Sequence, residues 1–563
     1  MLNLKPKLKV FKDKIPSLSL TTFNLLLAIW IGLVINLSFF NKIKMLTPYE
    51  GFKEQLFLLA TICIVIAIYN FALQLLTWKW TTKAVAVFLV VLGGFSSYFV
   101  SNFGIIINSD QIQNMIQTDL REVRDLLSIK YALWTLFFVI LPVLIISLVR
   151  IKSEPVITLL WKKLTISGIS LLVIIGLVFS FYLDLSSIFR ENRELKGMIS
   201  PQNVIASSLS YYRKKLPKND LPLLRYGEDA HQVQPIGVQA NQPKLMVLVV
   251  GETARAESFS LNGYTKNTNP ELSKQNIINF SQVSSCGTAT AVSVPCMFSG
   301  MPRKNYDEQL ASHREGLLDI AQRAGYKVTW IENNSGCKGA CDRVENYTIT
   351  DEMKKKWCDA KGECLDEILL DALQEYIVNI PENDQTSRLI VLHQMGSHGP
   401  AYFKRSTKDF QKFKPTCETN EIQGCSEIEL VNTYDNSIVY TDYVLSRMID
   451  TLKEVSRFQT GFWYLSDHGE STGEKGMYLH GAPYAIAPTQ QTHIPMLMWF
   501  SPAWEQNQRI QISCLIEQKQ KKLSQDNLFP TLLSLLDVKT GVIDHQLNML
   551  EQCENKVSAE KKI

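Results

Sequence analysis

The chain has 563 residues with 58 basic and 54 acidic side chains, a formal charge of +4. That balance is too even for a protein that grips nucleic acid through a broad basic field. Mean hydropathy is 0.00, an average of two unlike parts, and the apolar part excludes a wholly soluble chain.

In chain order, the tail before the first apolar stretch holds Lys5, Lys7, Lys9, Lys12 and Lys14 against Asp13, which by itself equals the formal excess. Five stretches then follow, each long enough to cross a bilayer as a helix: Thr22 to Phe40, Gln55 to Trp78, Ala84 to Phe103, Tyr131 to Val149 and Thr165 to Leu185. The first lacks a small-residue cleavage site and more spans follow it, so it is an anchor and not a signal peptide. The basic tail predicts a cytoplasmic N-terminus. Lys79 and Lys83, then Arg150, Lys152, Lys162 and Lys163, return to the same side, with Lys42, Lys44 and Lys53 weakening the contrast. An odd number of spans exports everything after about residue 190. We therefore divide the chain into a transmembrane domain at 1–189, a juxtamembrane helix and linker at 190–240, where Pro217 to Gln242 reads as irregular, and a catalytic domain at 241–563.

From Lys244 on, short apolar runs alternate with helical spacing. Strands are predicted over Leu245–Val250, Ile277–Val283, Lys327–Ile331, Leu389–Leu392, Phe462–Leu465 and Pro495–Phe500, and helices over Leu317–Ala324 and Ile428–Leu452. This alternation predicts an α/β domain with a mixed, mostly parallel sheet sandwiched by helices. Two of the runs stop at hard ligands, Glu252 and the pair Asp467-His468, where α/β enzymes keep their chemistry. Two carboxylates and an imidazole make a zinc-type donor set, and a hydroxyl in the fourth position becomes a nucleophile. Between them lie Thr288 and Thr290, either of which suits that role or a helix cap.

Ten of the eleven cysteines follow residue 285. Eight form close pairs, Cys286 with Cys296, Cys337 with Cys341, Cys358 with Cys364 and Cys417 with Cys425, a pattern that suits disulfides in an oxidising compartment better than zinc knuckles. Cys514 and Cys553 remain for a longer bridge, and Cys63 falls inside a span. All eight histidines lie in the exported part, which speaks against proton or metal transport through the spans. Gly336-Cys337-Lys338-Gly339 lacks the spacing of a nucleotide-binding loop.

The ordered set Gly251-Glu252-Thr253-Ala254-Arg255, Ser285-Cys286-Gly287-Thr288-Ala289-Thr290, Gly396-Ser397-His398-Gly399-Pro400, Ser466-Asp467-His468-Gly469-Glu470-Ser471 and Leu479-His480-Gly481-Ala482-Pro483-Tyr484 resembles the lipid A phosphoethanolamine transferases. These include the mobile colistin resistance enzymes and belong to the alkaline phosphatase superfamily, with its sulfatase-like fold. The resemblance runs over essentially the whole chain. It implies a bacterial inner-membrane, multi-pass protein with its catalytic domain in the periplasm, a catalytic Zn2+ site at Glu252, Thr290, Asp467 and His468, and Thr290 as the residue that transiently carries phosphoethanolamine. His398 and His480 match histidines that bind further zinc or substrate phosphate, while Lys338 and Glu470 match polar residues of the same cleft. Asn114, Thr118 and Glu122 match residues that contact the donor head group, and their i, i+4, i+8 spacing predicts one helix face. The implied donor is phosphatidylethanolamine, the acceptor a phosphate of lipid A, the outcome polymyxin resistance, and the expected state a monomer. The competing readings are a phosphoglycerol or phosphoethanolamine transferase acting on another envelope glycan, and a membrane-anchored lipopolysaccharide-binding protein.

Overall fold

The computed structural model describes residues 17–47, 49–215, 221–233, 242–360 and 362–551. The basic tail from Lys5 to Lys14, residues 217–220 and 234–241 of the irregular stretch between Pro217 and Gln242, and Cys553 lie outside the described residues. Two compact units emerge, one of residues 1–112 and 127–210 and the other of 113–126 and 211–563.

The first unit is helical. Helix α1 (Leu20–Ile29) is capped by Ser19, whose hydroxyl accepts from the Thr22 amide, and it passes through a π turn at Trp30–Val34. It bends by 54° into α2 (Leu37–Leu46). The bend has an identifiable cause. Buried Asn36 sits at the break, donating at 2.8 Å to both Ile31 O and Ser200 O and accepting from Ser200 N at 2.8 Å, so the carbonyl loosened by the π turn is satisfied by a side chain. Helices α3 (Phe52–Leu76) and α4 (Thr82–Phe103) follow; next in the chain are the short helices α5 (Ser109–Gln117), which passes into the second unit at residue 113, and α6 (Leu120–Asp125), which belongs to the second unit, and then the apolar helices α7 (Ile129–Leu148) and α8 (Val156–Ser180) of the first. Four of these are long and apolar enough to cross a bilayer, and five spans result when the bent pair counts as one. Helix α8 starts nine residues before the apolar run Thr165–Leu185 because Lys162 and Lys163 are helical, not loop. Lys163 is buried, donates to Thr77 O at 2.5 Å and lies 4.1 Å over the Trp78 ring, which compensates a cation in an apolar wall.

The second unit is built on one sheet. In chain order its elements are β1 (Lys244–Gly251), β2 (Ile278–Ser284), α9 (Thr290–Phe298), α10 (Leu317–Arg323), β3 (Lys327–Glu332), β4 (Glu345–Tyr347), β5 (Arg388–His393), α11 (Glu427–Lys453), β6 (Gln459–Ser466), β7 (His493–Phe500) and β8 (Leu523–Ser524). Sheet order is β8-β2-β7-β6-β1-β5-β3-β4, and every neighbouring pair is parallel except those made by β7, which runs antiparallel to β2 and β6. Strands β1, β5 and β6 are buried along their whole length, which is why they read as unbroken apolar runs and not as alternation. Val294, Met297, Leu317, Ile320 and Leu532 share a core with Met246, Leu248 and Val250, while α11 packs on β6. Helix α11 opens with a reciprocal box in which Ser426 Oγ accepts from Glu429 N and Glu429 accepts from Ser426 N. Disulfides join Cys286 to Cys296, Cys337 to Cys341, Cys358 to Cys364 and Cys417 to Cys425; Cys63 is a free thiol.

Candidate metal centre and active site

Glu252 and Asp467 leave adjacent parallel strands at the same level, since Gly251 on β1 pairs with Ser466 on β6. Their carboxylates are thus fixed side by side by sheet register. Thr253 holds the turn after β1 at φ 56°, a left-handed conformation that a β-branched residue resists, with its carbonyl accepting from Tyr434 Oη at 2.7 Å. On the other flank, a Cβ added to Gly396 would lie 2.4 Å from Glu252 O, so only glycine lets that loop approach.

Thr290 enters this corner as the first residue of α9. Its Oγ1 lies 3.3 and 3.1 Å from the two Glu252 carboxylate oxygens and 3.3 Å from His468 Nε2. His468 Nε2 is 3.4 Å from Glu252 Oε1 and 3.3 Å from Asp467 Oδ2. Glu252, Asp467 and His468 are fully buried, with donor atoms all within 4.8 Å of one another. His468 Nδ1 lies 2.8 Å from Gly469 O and donates there, so its Nε2 presents a lone pair to the cluster. Burial lowers the His468 pKa, which keeps the ring neutral. Burial, then the neighbouring Asp467 charge, raises the Glu252 pKa well above the usual carboxylate value.

These residues fit a divalent cation. The Glu252 carboxylate and an imidazole lone pair converge on one hydroxyl, which has a single proton to offer, and beside them Asp467 Oδ2 has no hydrogen-bond partner. Among the described residues, no Lys or Arg forms an ion pair with Glu252 or Asp467 that would supply the missing positive charge. A buried set of this kind suits a divalent cation, with the three side chains and the hydroxyl available as ligands. Thr288 is oriented otherwise: its hydroxyl donates to Ala482 O at 2.7 Å.

The other residues singled out in the sequence gather around this corner. His480 Nδ1 lies 2.9 Å from Glu470 Oε2, whose Oε1 accepts from Tyr402 Oη at 2.6 Å. The His480 ring is 4.5 Å from that of His468 and 5.2 Å from that of His398. Burial pushes the His480 pKa down, but the Glu470 carboxylate outweighs it and the net direction is up. His398 goes the other way, driven down by burial and by His480, and its Nδ1 makes no hydrogen bond. Lys338 stands at φ 52° inside the Cys337–Cys341 ring, donating to Ser335 O at 2.8 Å, Ser335 Oγ at 2.9 Å and Gln117 O at 3.3 Å. Glu122 lies beside Ser335, Lys338 and His480, with burial, then Asp119, raising its pKa.

One expectation about this region needs correction. Asn114, Thr118 and Glu122 do not occupy one continuous helix, because α5 ends at Gln117 and α6 begins at Leu120. The break is made by side chains that compete with the helix ladder. Thr118 Oγ1 donates back to Asn114 O at 2.7 Å, and Asp119 Oδ1 accepts from Glu122 N at 3.0 Å, capping the new helix.

Two further residues belong here that no motif announced. Asn334 donates to Glu252 Oε2 at 2.8 Å and to Gln394 O at 2.7 Å. Gln525 uses its amide fully, donating to Ser466 O at 2.8 Å and Asp467 O at 2.7 Å and accepting from Cys286 N at 2.6 Å and Ser293 Oγ at 2.9 Å. It thereby ties the end of β6 to the first turn of α9.

Comparison with known proteins bears on the same residues. Residues 244–538 match the family described as Sulfatase, and residues 65–216 the one described as Phosphoethanolamine transferase EptA/EptB. The phosphoethanolamine transferase EptA of Escherichia coli K12 is 43% identical over 544 residues, covering 96% of this chain and 98% of its own. The chain is a phosphoethanolamine transferase of the EptA family. The phosphatidylethanolamine transferase Mcr-1 of Escherichia coli is 34% identical over 525 residues, 91% of this chain and 94% of its own. Among solved structures, the integral membrane lipooligosaccharide phosphoethanolamine transferase A from Neisseria meningitidis superposes with a TM-score of 0.90 at 38% identity, over 96% of this chain and 99% of that one. Like its relatives, this EptA-family enzyme is an integral membrane protein with N-terminal transmembrane helices and a C-terminal periplasmic catalytic domain.

Proposed function

We propose that this enzyme moves phosphoethanolamine from phosphatidylethanolamine to a phosphate of lipid A in two displacements, with Thr290 carrying the group between them. The observation that supports this most directly is the convergence of Glu252 and His468 on the Thr290 hydroxyl, with Asp467 beside them, while the Thr288 hydroxyl is committed to Ala482 O. Relatives bear names of matching chemistry: the Mcr-1 protein is called a phosphatidylethanolamine transferase, and a 25% identical Escherichia coli relative a Kdo(2)-lipid A phosphoethanolamine 7''-transferase.

Glu252, Asp467 and His468 would hold zinc together with the Thr290 oxygen. Bound there, zinc lowers the pKa of the hydroxyl and offsets charge developing on the phosphoryl oxygens. In the first displacement Thr290 Oγ1 forms a bond to phosphorus while the bond to the diacylglycerol oxygen breaks. His480, held protonated by Glu470, is placed to give that oxygen its proton, and His398 and Lys338 bracket the phosphate. In the second displacement an oxygen of a lipid A phosphate attacks the same phosphorus and Thr290 leaves. Asn114, Thr118 and Glu122 receive the donor head group, Glu122 facing its ammonium. The product places an ammonium beside a phosphate and so lowers the attraction of the outer surface for cationic peptides such as polymyxins. We assign the enzyme to the inner membrane, acting as a monomer.

Mass analysis of peptides after incubation of the full-length enzyme with phosphatidylethanolamine tests the scheme. A phosphoethanolamine adduct is expected on the Thr290 peptide of the wild type and absent from Thr290→Ala. An adduct on Thr288, or none on either while transfer proceeds, would overturn it.

A further inference from the structure

Asp125, the last residue of α6, is buried in a ring of four charges. The Lys404 ammonium bonds Asp125 and reaches Glu363 Oε1 at 2.8 Å, while the Arg405 guanidinium reaches Asp125 Oδ2 at 2.8 Å and Glu363 Oε2 at 3.1 Å. Two carboxylates and two cations close the ring with no net charge. Asn420 adds a bond of 2.6 Å to the Asp125 carbonyl. The receiving side is stiff: Glu363 adjoins Cys364 in the loop closed by Cys358–Cys364, and Asn420 lies inside the loop closed by Cys417–Cys425.

The ring is connected at both ends to groups with functional roles. Arg405 also donates its Nε–H to His398 O at 2.8 Å. Asp125 stands three residues after Glu122, and the segment 113–126 that carries both belongs to the catalytic unit although spans precede and follow it. Elsewhere this segment is held by weaker bonds, from Gln113 Nε2 to Ala291 O at 3.3 Å and from Lys338 Nζ to Gln117 O at 3.3 Å. At Asp125 it is fastened by buried, charge-assisted contacts to two cations at once, and such contacts are shorter and stronger than neutral ones.

We propose that Asp125 is a positioning residue for the donor: clamped by Lys404 and Arg405, it holds segment 113–126 on the catalytic unit so that Glu122 stays beside Ser335, Lys338 and His480. This rests on the donor-binding role proposed above for Asn114, Thr118 and Glu122. Asp125 touches no reacting atom. Its loss releases the segment without removing a ligand or the nucleophile, so the deficit falls on donor binding.

The test uses full-length enzyme in lipid-detergent micelles with head-group-labelled phosphatidylethanolamine at varied concentration. D125N is expected to raise KM for the donor by about tenfold with kcat changed less than about twofold. Zinc content and the Thr290 adduct at saturating donor should persist, and amide exchange across 113–126 should quicken. Asp125→Glu keeps both charge contacts and is expected to recover most of the affinity, a rescue that a purely structural role in folding would not separate by KM. Glu363→Gln removes an equal charge from the ring without touching the segment, so its shift in KM should be smaller than that of D125N. If D125N does not fold, Lys404→Met carries the test: it leaves the Arg405 arm in place and is expected to raise KM by about threefold, and an unchanged KM would refute the clamp. Glu122→Gln separates the two claims. An unaltered donor KM in Glu122→Gln defeats the donor-site reading, whereas a raised KM there with an unaltered KM in D125N, or a D125N defect confined to kcat, defeats the clamp.

Discussion

A primary amide has two donors and an acceptor with two lone pairs, and Gln525 uses all of them on buried partners from two elements. Its replacement by leucine takes their amide partner from Ser466 O and Cys286 N in a dry interior, at about 1 to 3 kcal/mol for each group left unsatisfied, while Asp467 O keeps the Ser293 hydroxyl. The strut also sets the spacing between Asp467 and Thr290, so the effect reaches the proposed zinc site. Gln525→Leu is expected to lower zinc affinity by roughly 10- to 100-fold, read by competition against a fluorescent chelator, and to lower the thermal midpoint of the catalytic unit. Gln525→Glu should do no better, because a carboxylate would face two carbonyl oxygens. Wild-type zinc affinity in both variants would show that the two loops hold their spacing without the amide. Residues of this kind are hard to read from sequence. Glu252, Asp467 and His468 stand out as charged or metal-binding side chains at the ends of apolar runs. Gln525 and Asn334 are neutral, common, and remote in sequence from the residues they support, and only the folded sheet brings them together.

Among the elements, legibility follows the number of independent signals that agree. Six of the eight strands of the catalytic sheet and the helices α10 and α11 were visible to within three residues, because a buried parallel strand must be continuously apolar and a sheet-covering helix must show 3.6-residue spacing, whereas the short edge strands β4 and β8 were not. The spans were visible as apolar length, but the bend at Asn36 and the early start of α8 were not, since each depends on a polar side chain finding a partner distant in sequence. The α5–α6 break is the instructive miss. The spacing of Asn114, Thr118 and Glu122 obeys helical periodicity, yet Thr118 and Asp119 redirect the backbone through local hydrogen bonds. Asp119→Ala removes the cap of α6, a change that costs about 1 kcal/mol in comparable positions. Because α6 is only six residues long, most of that loss should appear locally, as faster hydrogen exchange of the 120–125 amides with the global unfolding midpoint nearly unmoved. Unchanged exchange there would mean that the Asp125 clamp alone sustains the helix.

At the scale of the whole molecule, the buried carboxylates at the strand ends make stability depend on what neutralises them. Protons and a divalent cation compete for the same oxygens. In the metal-free protein the Glu252 pKa is raised by burial and by Asp467, so the folded state binds more protons than the unfolded chain at pH values above the ordinary carboxylate range. Stability from this source is complete below the unfolded pKa of about 4.5 and is lost as pH rises through the folded value. With zinc bound the dependence reverses in sign, since ligation requires deprotonated oxygens, and a free metal concentration about a thousandfold above Kd contributes about 4 kcal/mol. Chelated full-length enzyme, followed by tryptophan fluorescence on heating in detergent, is therefore expected to lose thermal stability as pH is raised from about 4.5 toward neutrality. The difference in midpoint between zinc-loaded and chelated samples should widen over the same interval. Trp463 lies on β6 and Trp499 on β7, so the signal includes the catalytic sheet. A chelated protein whose midpoint is flat or rises across that interval, with no widening on adding zinc, would show that Glu252 and Asp467 are neutralised by something other than a metal, and the reading of this corner as a cation site would fall with it.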